Sequence, residues 1–103
     1  MNRFISLLGL AYKARKVSVG FDAVHESIKK KYAKLIIATC DISKKSLSKI
    51  RSKADDINIL QVKESMLDLS AIFSKQISLV AVNDEGFAKK LIKLEAITYY
   101  DKI

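Results

Sequence analysis

Between Val17 and Ser43 the chain sets two short apolar runs on either side of one helical stretch, with Gly20 at the first joint. No other segment limits the fold as strongly. Val17, Ser18, Val19 alternates and reads as a brief strand, and Gly20 breaks it. Leu35 to Ala38 is apolar without interruption, the pattern of a central strand covered on both faces. The helix between them turns Phe21, Val24 and Ile28 to the core. Its other face carries Asp22, His25, Glu26, Lys29 and Lys30, where Glu26 can pair with Lys29 or Lys30.

The rest of the chain continues the alternation. Asn2 is placed to cap a first helix whose apolar face is Phe4, Leu7, Leu8 and Ala11. Ser43 caps a third helix with Leu47, Ile50 and Ala54 on its core side, and Asp55 and Asp56 end it. Ile57 to Val62 is a third strand. Ser65 with Asp68 forms a capping box that opens a short helix through Met66, Leu69 and Phe73. Ser74 to Gln76 turn the chain, with Lys75 at the tip, and Ile77 to Val82 is a fourth strand. Asn83 to Gly86 make the next turn and cap. Phe87, Ala88, Leu91 and Ile92 give the last helix its apolar face. The tail Ala96 to Ile103 is apolar and aromatic, and packs down or adds an edge strand.

No linker, repeat or low-complexity segment interrupts the 103 residues, so residues 1–103 read as a single α/β domain with helices on both faces of its sheet. Ligands of open α/β sheets gather outside the carboxyl ends of the strands. That groups Gly20, the Thr39 to Ser43 turn and the loops after the third and fourth strands into one candidate functional face.

Charge narrows the function classes. Lys and Arg number 19 against 11 Asp and Glu, a formal charge of +8, which favours a polyanionic partner. A lysine-preferring genome is the plainer source of such a balance. One Cys forms no intramolecular disulfide and no cysteine metal cluster, and a reduced cytoplasmic setting follows. No apolar stretch nears the ~20 residues of a membrane helix, and the first helix, with Arg3 and Lys13, lacks a signal-peptide pattern. Three glycines leave no phosphate loop of the nucleotide-hydrolase type and no GxGxxG, so no cofactor is expected. His25, the sole histidine, has no second His or Cys cluster with which to hold a metal. Cys40 beside Asp41 is a nucleophile only in principle. It reads more simply as a small, partly buried residue with no base nearby, and Asp41 and Ser43 as helix caps.

Three segments carry a family resemblance: LGLAYKARKVSVG, AKLIIATCDIS and LVAVNDEGFAKKL. Together, in order and spacing from about Leu7 to Leu94, they resemble the kink-turn-binding ribosomal protein family of the L-seven-Ae and L-thirty-e type, and within it the bacterial YlxQ-like group. The resemblance implies a three-layer α/β/α sandwich around a mixed four-stranded sheet. It also implies a non-enzymatic RNA-binding protein whose partner is a structured RNA, with kink-turn and ribosomal RNA as candidates, and no membrane. Family members set the helix after Gly20 against sheared G·A pairs and hold a flipped-out nucleotide in the loop after the next strand.

Asp22 stands where kink-turn binders place Asn, Ala23 where they place Glu, and Glu26 where they place Lys. Cys40 replaces an acidic residue, while Asp41 matches. Ile59 falls where Pro is common, Leu69-Ser70 stand for Leu-Gly, and Ser74 for a second Gly. An Asn side chain donates and accepts, whereas an ionised Asp only accepts. Asp22 and Glu26 also add negative charge where base edges and phosphates approach, and each is expected to weaken binding by ~1–3 kcal/mol in the interface, the scale of one good base contact. The unpaired N–H groups and partial positive charge of the helix that starts at Gly20 are expected to seat phosphate, with attraction from Lys13, Arg15, Lys16, Lys29, Lys44 and Lys75. Asp22, His25, Cys40 and Asp41 stand at the reading surface, and Phe21 and Ile59 offer apolar support to an unstacked base. The alternative is a protein-interaction module that kept the fold and lost specific RNA recognition, motivated by Asp22, Ala23, Glu26 and the apolar tail.

Overall fold

In a computed structural model, which describes residues 2–101 with side chains through residue 95, five helices and four strands alternate along the chain. They are α1 (Arg3–Lys13), β1 (Val17–Val19), α2 (Phe21–Lys29), β2 (Leu35–Ala38), α3 (Lys44–Lys53), β3 (Ile59–Gln61), α4 (Met66–Phe73), β4 (Leu79–Val82) and α5 (Glu85–Asp101). The sheet order is β1-β4-β2-β3. β2 and β3 are parallel, and β4 is antiparallel to both β1 and β2. The architecture is a three-layer α/β/α sandwich around a mixed four-stranded sheet.

Strand alternation builds the layers. Leu35, Ile37, Val80 and Val82 point to one face, where they meet Phe4, Ile5 and Leu8 of α1, Leu69 and Phe73 of α4, and Ala88 and Leu91 of α5. Ile36, Ala38, Leu79 and Ala81 point to the other, against Val24 of α2 and Ile50 and Ala54 around α3. Both central strands are therefore buried on both faces, which is why they read as continuous apolar runs.

Local caps fall where expected. The Asn2 side chain accepts from the Ile5 N–H at 2.7 Å, Ser43 Oγ from Ser46 at 3.1 Å, and Ser65 and Asp68 make a reciprocal capping box. Four expectations are corrected. β3 and β4 are shorter than the apolar runs Ile57 to Val62 and Ile77 to Val82. Ile57 N–H closes the turn after α3 on Ala54 O, and Ile77 packs in the core ahead of the ladder. Ile92, expected on the apolar face of the last helix, is exposed. Residues 96–101 extend α5 rather than forming an edge strand. Whether the tail side chains pack down, and the placement of residues 102–103, lie outside the described residues.

Candidate nucleic-acid interface

Strand direction decides which loops meet. β1, β2 and β3 run one way and β4 runs against them. The carboxyl ends of the first three strands therefore share one end of the sheet with the start of β4. Backbone bonds fix the grouping: Gly20 N–H donates to Leu79 O at 2.9 Å, Thr39 N–H to Ser78 O at 3.1 Å, and Cys40 N–H to Glu64 O at 3.0 Å. This is the Gly20 end. The loop expected there after the fourth strand lies at the opposite end, because an antiparallel β4 delivers its carboxyl end to the starts of β1 and β2. Asn83 N–H donates to Lys16 O at 2.7 Å, and Lys34 N–H to Val82 O at 2.8 Å. The Ser74–Ser78 segment before β4, with Lys75, takes its place at the Gly20 end.

Gly20 joins β1 to α2 with φ 93° and ψ 162°. A Cβ there would meet nothing within 4 Å, so the conformation and not the space demands glycine. α2 has no side-chain cap, whereas α1, α3 and α4 are each capped by their N-cap side chain and Asp84 Oδ2 accepts from Phe87 N–H at the start of α5. The first N–H groups of α2 and their partial positive charge thus face outward at this end. Asp22 stands exposed in the same first turn. Phe21 is half-buried against the α2–α3 core, with its ring 6.4 Å from that of half-buried His25.

The second wall is the Thr39 to Ser43 turn. Ser43 caps α3, but Asp41 does not: its Oδ1 accepts from the Met66 N–H at 3.0 Å, 25 residues on. The carboxylate therefore ties the turn after β2 to the start of α4. Cys40, read as partly buried, is exposed. Beneath it Glu64 is buried, its Oε2 accepting from Asn2 Nδ2 at 2.8 Å. Glu64 Oε1 and Thr39 Oγ1 are buried with no hydrogen-bond partner. Ser74, standing for a family glycine, takes φ 61° and ends α4 in the left-handed conformation. Among the described residues, no three His, Cys, Asp or Glu side chains come together as a metal site.

The thirteen candidate residues divide between the two ends. Gly20, Phe21, Asp22, Cys40, Asp41, Lys44 and Lys75 gather at the Gly20 end, with His25 one turn along α2. Lys13, Arg15, Lys16 and Lys29 do not join them. α1 and α2 both start at the Gly20 end and finish at the other, carrying these cations to the Asn83 side. Ile59 begins β3 opposite Ile36 and is half-buried against the α2–α3 core, away from the loops. Glu64 and Tyr32 carry no sequence expectation, and Asn83 is expected only as part of a turn and cap. Burial of Glu64 and the bonds of the half-buried Asn83 depend on distant partners, but an aromatic inside Lys29-Lys30-Lys31-Tyr32 is a legible signal.

Residues 3–92 match the model of the ribosomal protein L7Ae/L30e/S12e/Gadd45 family. The chain is 39% identical over 93 residues to the RNA-binding protein YlxQ of Bacillus subtilis (strain 168), covering 85% of this chain and 90% of that protein. The fold is similar to that of a protein of unknown function from Bacillus halodurans, with TM-score 0.83, 26% identity, and coverage of 93% of this chain and 99% of that one. It is also similar to the 15.5 kD RNA-binding protein of Giardia lamblia, with TM-score 0.69, 10% identity, and coverage of 93% and 88%. The match across nearly the whole chain, on a sheet of the order and direction described above, means that this protein belongs to the ribosomal protein L7Ae/L30e/S12e/Gadd45 family.

Proposed function

We propose that this chain is a non-enzymatic RNA-binding protein that docks a structured RNA at the Gly20 end, as part of the ribosome or translation machinery of the cytoplasm. The observation that carries the reading is the uncapped N-terminus of α2, at the end of the sheet that also holds Lys44 and Lys45 in the first turn of α3 and the loops with Lys63 and Lys75. A helix start of this kind seats a phosphate, and the flanking ammonium groups add counterion release. The name of the 39%-identical relative, an RNA-binding protein, supports the same reading.

Reading of a kink-turn is altered in this proposal. Asp22 and Glu26 put carboxylates where base edges and phosphates approach, so shape and backbone contacts contribute more than base contacts. Filter binding of a kink-turn RNA and a straight duplex of equal length, across a salt series, tests it. Binding that falls with salt and favours the kink-turn modestly is the expected outcome. No binding to either RNA at low salt overturns the proposal, and equal binding to both removes its kink-turn part.

One observation favours the alternative, a protein-interaction module on the same fold. Leu10 and Tyr12 of α1 and Leu67 of α4 are exposed, and the first two border a groove with Ala71 and Ile72. A defined protein partner that survives nuclease treatment during purification would select this reading. Loss of all partners on nuclease treatment would remove it.

A further inference from the structure

The end of the sheet away from Gly20 has its own construction, and it is built around Asn83. Strands β1 and β2 flank β4, so the turns that lead into them stand on either side of the end of β4. Asn83 N–H donates to Lys16 O, its Nδ2 donates to Ser18 Oγ at 3.0 Å, and its Oδ1 accepts from Ser27 Oγ at 2.6 Å. One residue, in the turn between β4 and α5, thus ties β1 and the last turn of α2 together. Lys34 N–H bonds to Val82 O on the other side. Lys16 and Lys34 therefore sit two ladder steps apart, roughly 10 Å.

Both turns are tight and cationic. Arg15 at φ 60° and Lys31 at φ 63° hold left-handed backbone, which sets the direction of the side chains around them. Arg15, Lys16, Lys29, Lys30, Lys31 and Lys34 are all exposed. Tyr32, with its backbone N–H anchored on Ser27 O, stands among the last four and is 57% exposed. An aromatic of this size, left in water on a fixed turn between ammonium groups, is the arrangement that stacks an unpaired base while phosphates run along the cations.

The neighbouring carboxylates leave most of this charge available. Glu26 faces Lys30 at 3.7 Å, but both side chains are more than half exposed and the pair is weak. Asp84 is engaged with the start of α5, leaving Glu85 exposed beside it. Asp55 and Asp56 share a cleft with Lys31. The exposed side chains next to Tyr32 are lysines, with no aliphatic group that would enter a lipid surface.

We infer that the Asn83 end is a second RNA-binding surface, which takes an unpaired segment by stacking a base on Tyr32 and holding its phosphates with Arg15, Lys16, Lys29, Lys30 and Lys34. The inference rests on the reading that the chain binds RNA, and it makes the protein a bridge between two RNA segments rather than a one-sided reader. The test compares a labelled single-stranded uridine oligomer with a kink-turn RNA by fluorescence anisotropy. Tyr32→Ala is expected to weaken oligomer binding about 10-fold and to leave the kink-turn RNA unchanged. Tyr32→Phe keeps the ring and is expected to keep the binding. Lys30→Ala with Lys34→Ala lowers oligomer affinity and its salt dependence, while Lys44→Ala with Lys75→Ala affects the kink-turn RNA only. Oligomer binding that survives both Tyr32→Ala and the Lys30/Lys34 pair, or that is lost in the Lys44/Lys75 pair instead, overturns the inference. So does Tyr32-dependent binding to phosphatidylserine vesicles with none to the oligomer. Kink-turn binding without oligomer binding overturns this inference alone, and absence of both overturns the RNA reading with it.

Discussion

At the Gly20 end, carboxylates do structural work in the open. Asp41 holds the start of α4 and Asp68 completes the capping box there, while Asp22 stands in the first turn of α2. Lys44, Lys45, Lys63 and Lys75 share their surroundings with these groups. At the Asn83 end the ties made by Asn83 itself are neutral, an amide, two hydroxyls and backbone carbonyls, and the carboxylate cap beside them is Asp84 at the start of α5. Lys30 there pairs with Glu26 at 3.7 Å, with both side chains more than half exposed. How a turn is held thus decides how much of the nearby lysine charge reaches a partner. Carboxylate caps fix geometry and cancel field, whereas amide and hydroxyl ties fix geometry and leave the field in place. The first arrangement suits recognition by shape, the second attraction of a backbone.

The largest test of that contrast is Asn83→Leu. It removes two side-chain bonds and leaves Ser27 Oγ unpartnered in a residue that is 3% exposed. A loss of about 2–3 kcal/mol is expected, read as a fall in Tm, together with loss of oligomer binding. Little change in Tm would mean that the neutral ties do not hold this end. Gly20→Ala forces a Cβ into φ 93° and is expected to cost about 1–2 kcal/mol. Its denaturant midpoint should drop while the oligomer site stays intact in the folded fraction. An unchanged midpoint would show that the joint relaxes.

Asp22→Asn removes one of the exposed carboxylates without touching the fold. Kink-turn affinity is expected to rise about tenfold, with oligomer affinity unchanged, and a flat response would take Asp22 out of the interface. The smallest effect belongs to Glu26→Gln. Breaking an exposed i,i+4 pair costs at most a few tenths of a kcal/mol. Oligomer binding should strengthen at low salt and match the parent at high salt. Stronger binding at all salt concentrations would mean that Glu26 acts by more than charge.

Much of the fold was legible because its signals are local. Val17–Val19 and Leu35–Ala38 are the observed strands residue for residue, and Asn2, Ser43 and the Ser65–Asp68 box cap the helices expected of them. Each is set by the pattern of a few neighbouring residues. The ends of β3 and β4 were less legible, since apolar Ile57 and Ile77 serve the core without joining the ladder. The tail, expected to pack down or add an edge strand, does not form the strand because aromatic and β-branched residues there suit either state, and the helix begun at Glu85 continues through residue 101.

The candidate site was legible as a list of residues and not as a place. Gly20, the capping residues, the basic excess and the order of the elements follow from the chain written out, because side-chain period, cap chemistry and charge are properties of short segments. The direction of β4 is not such a property. Its apolar run would pack equally well either way, and only pairing with β1 and β2 across the sheet settles it as antiparallel. That one non-local choice brings the Lys75 loop to the Gly20 end and sends Asn83 to the opposite end, while the shared direction of β1 and β2 separates Lys44 from Arg15, Lys16 and Lys29. The parallel pairing of β2 with β3 likewise turns the cap expected at Asp41 into a bridge to Met66, because that carboxylate bonds whichever unpaired N–H the packed elements bring within reach.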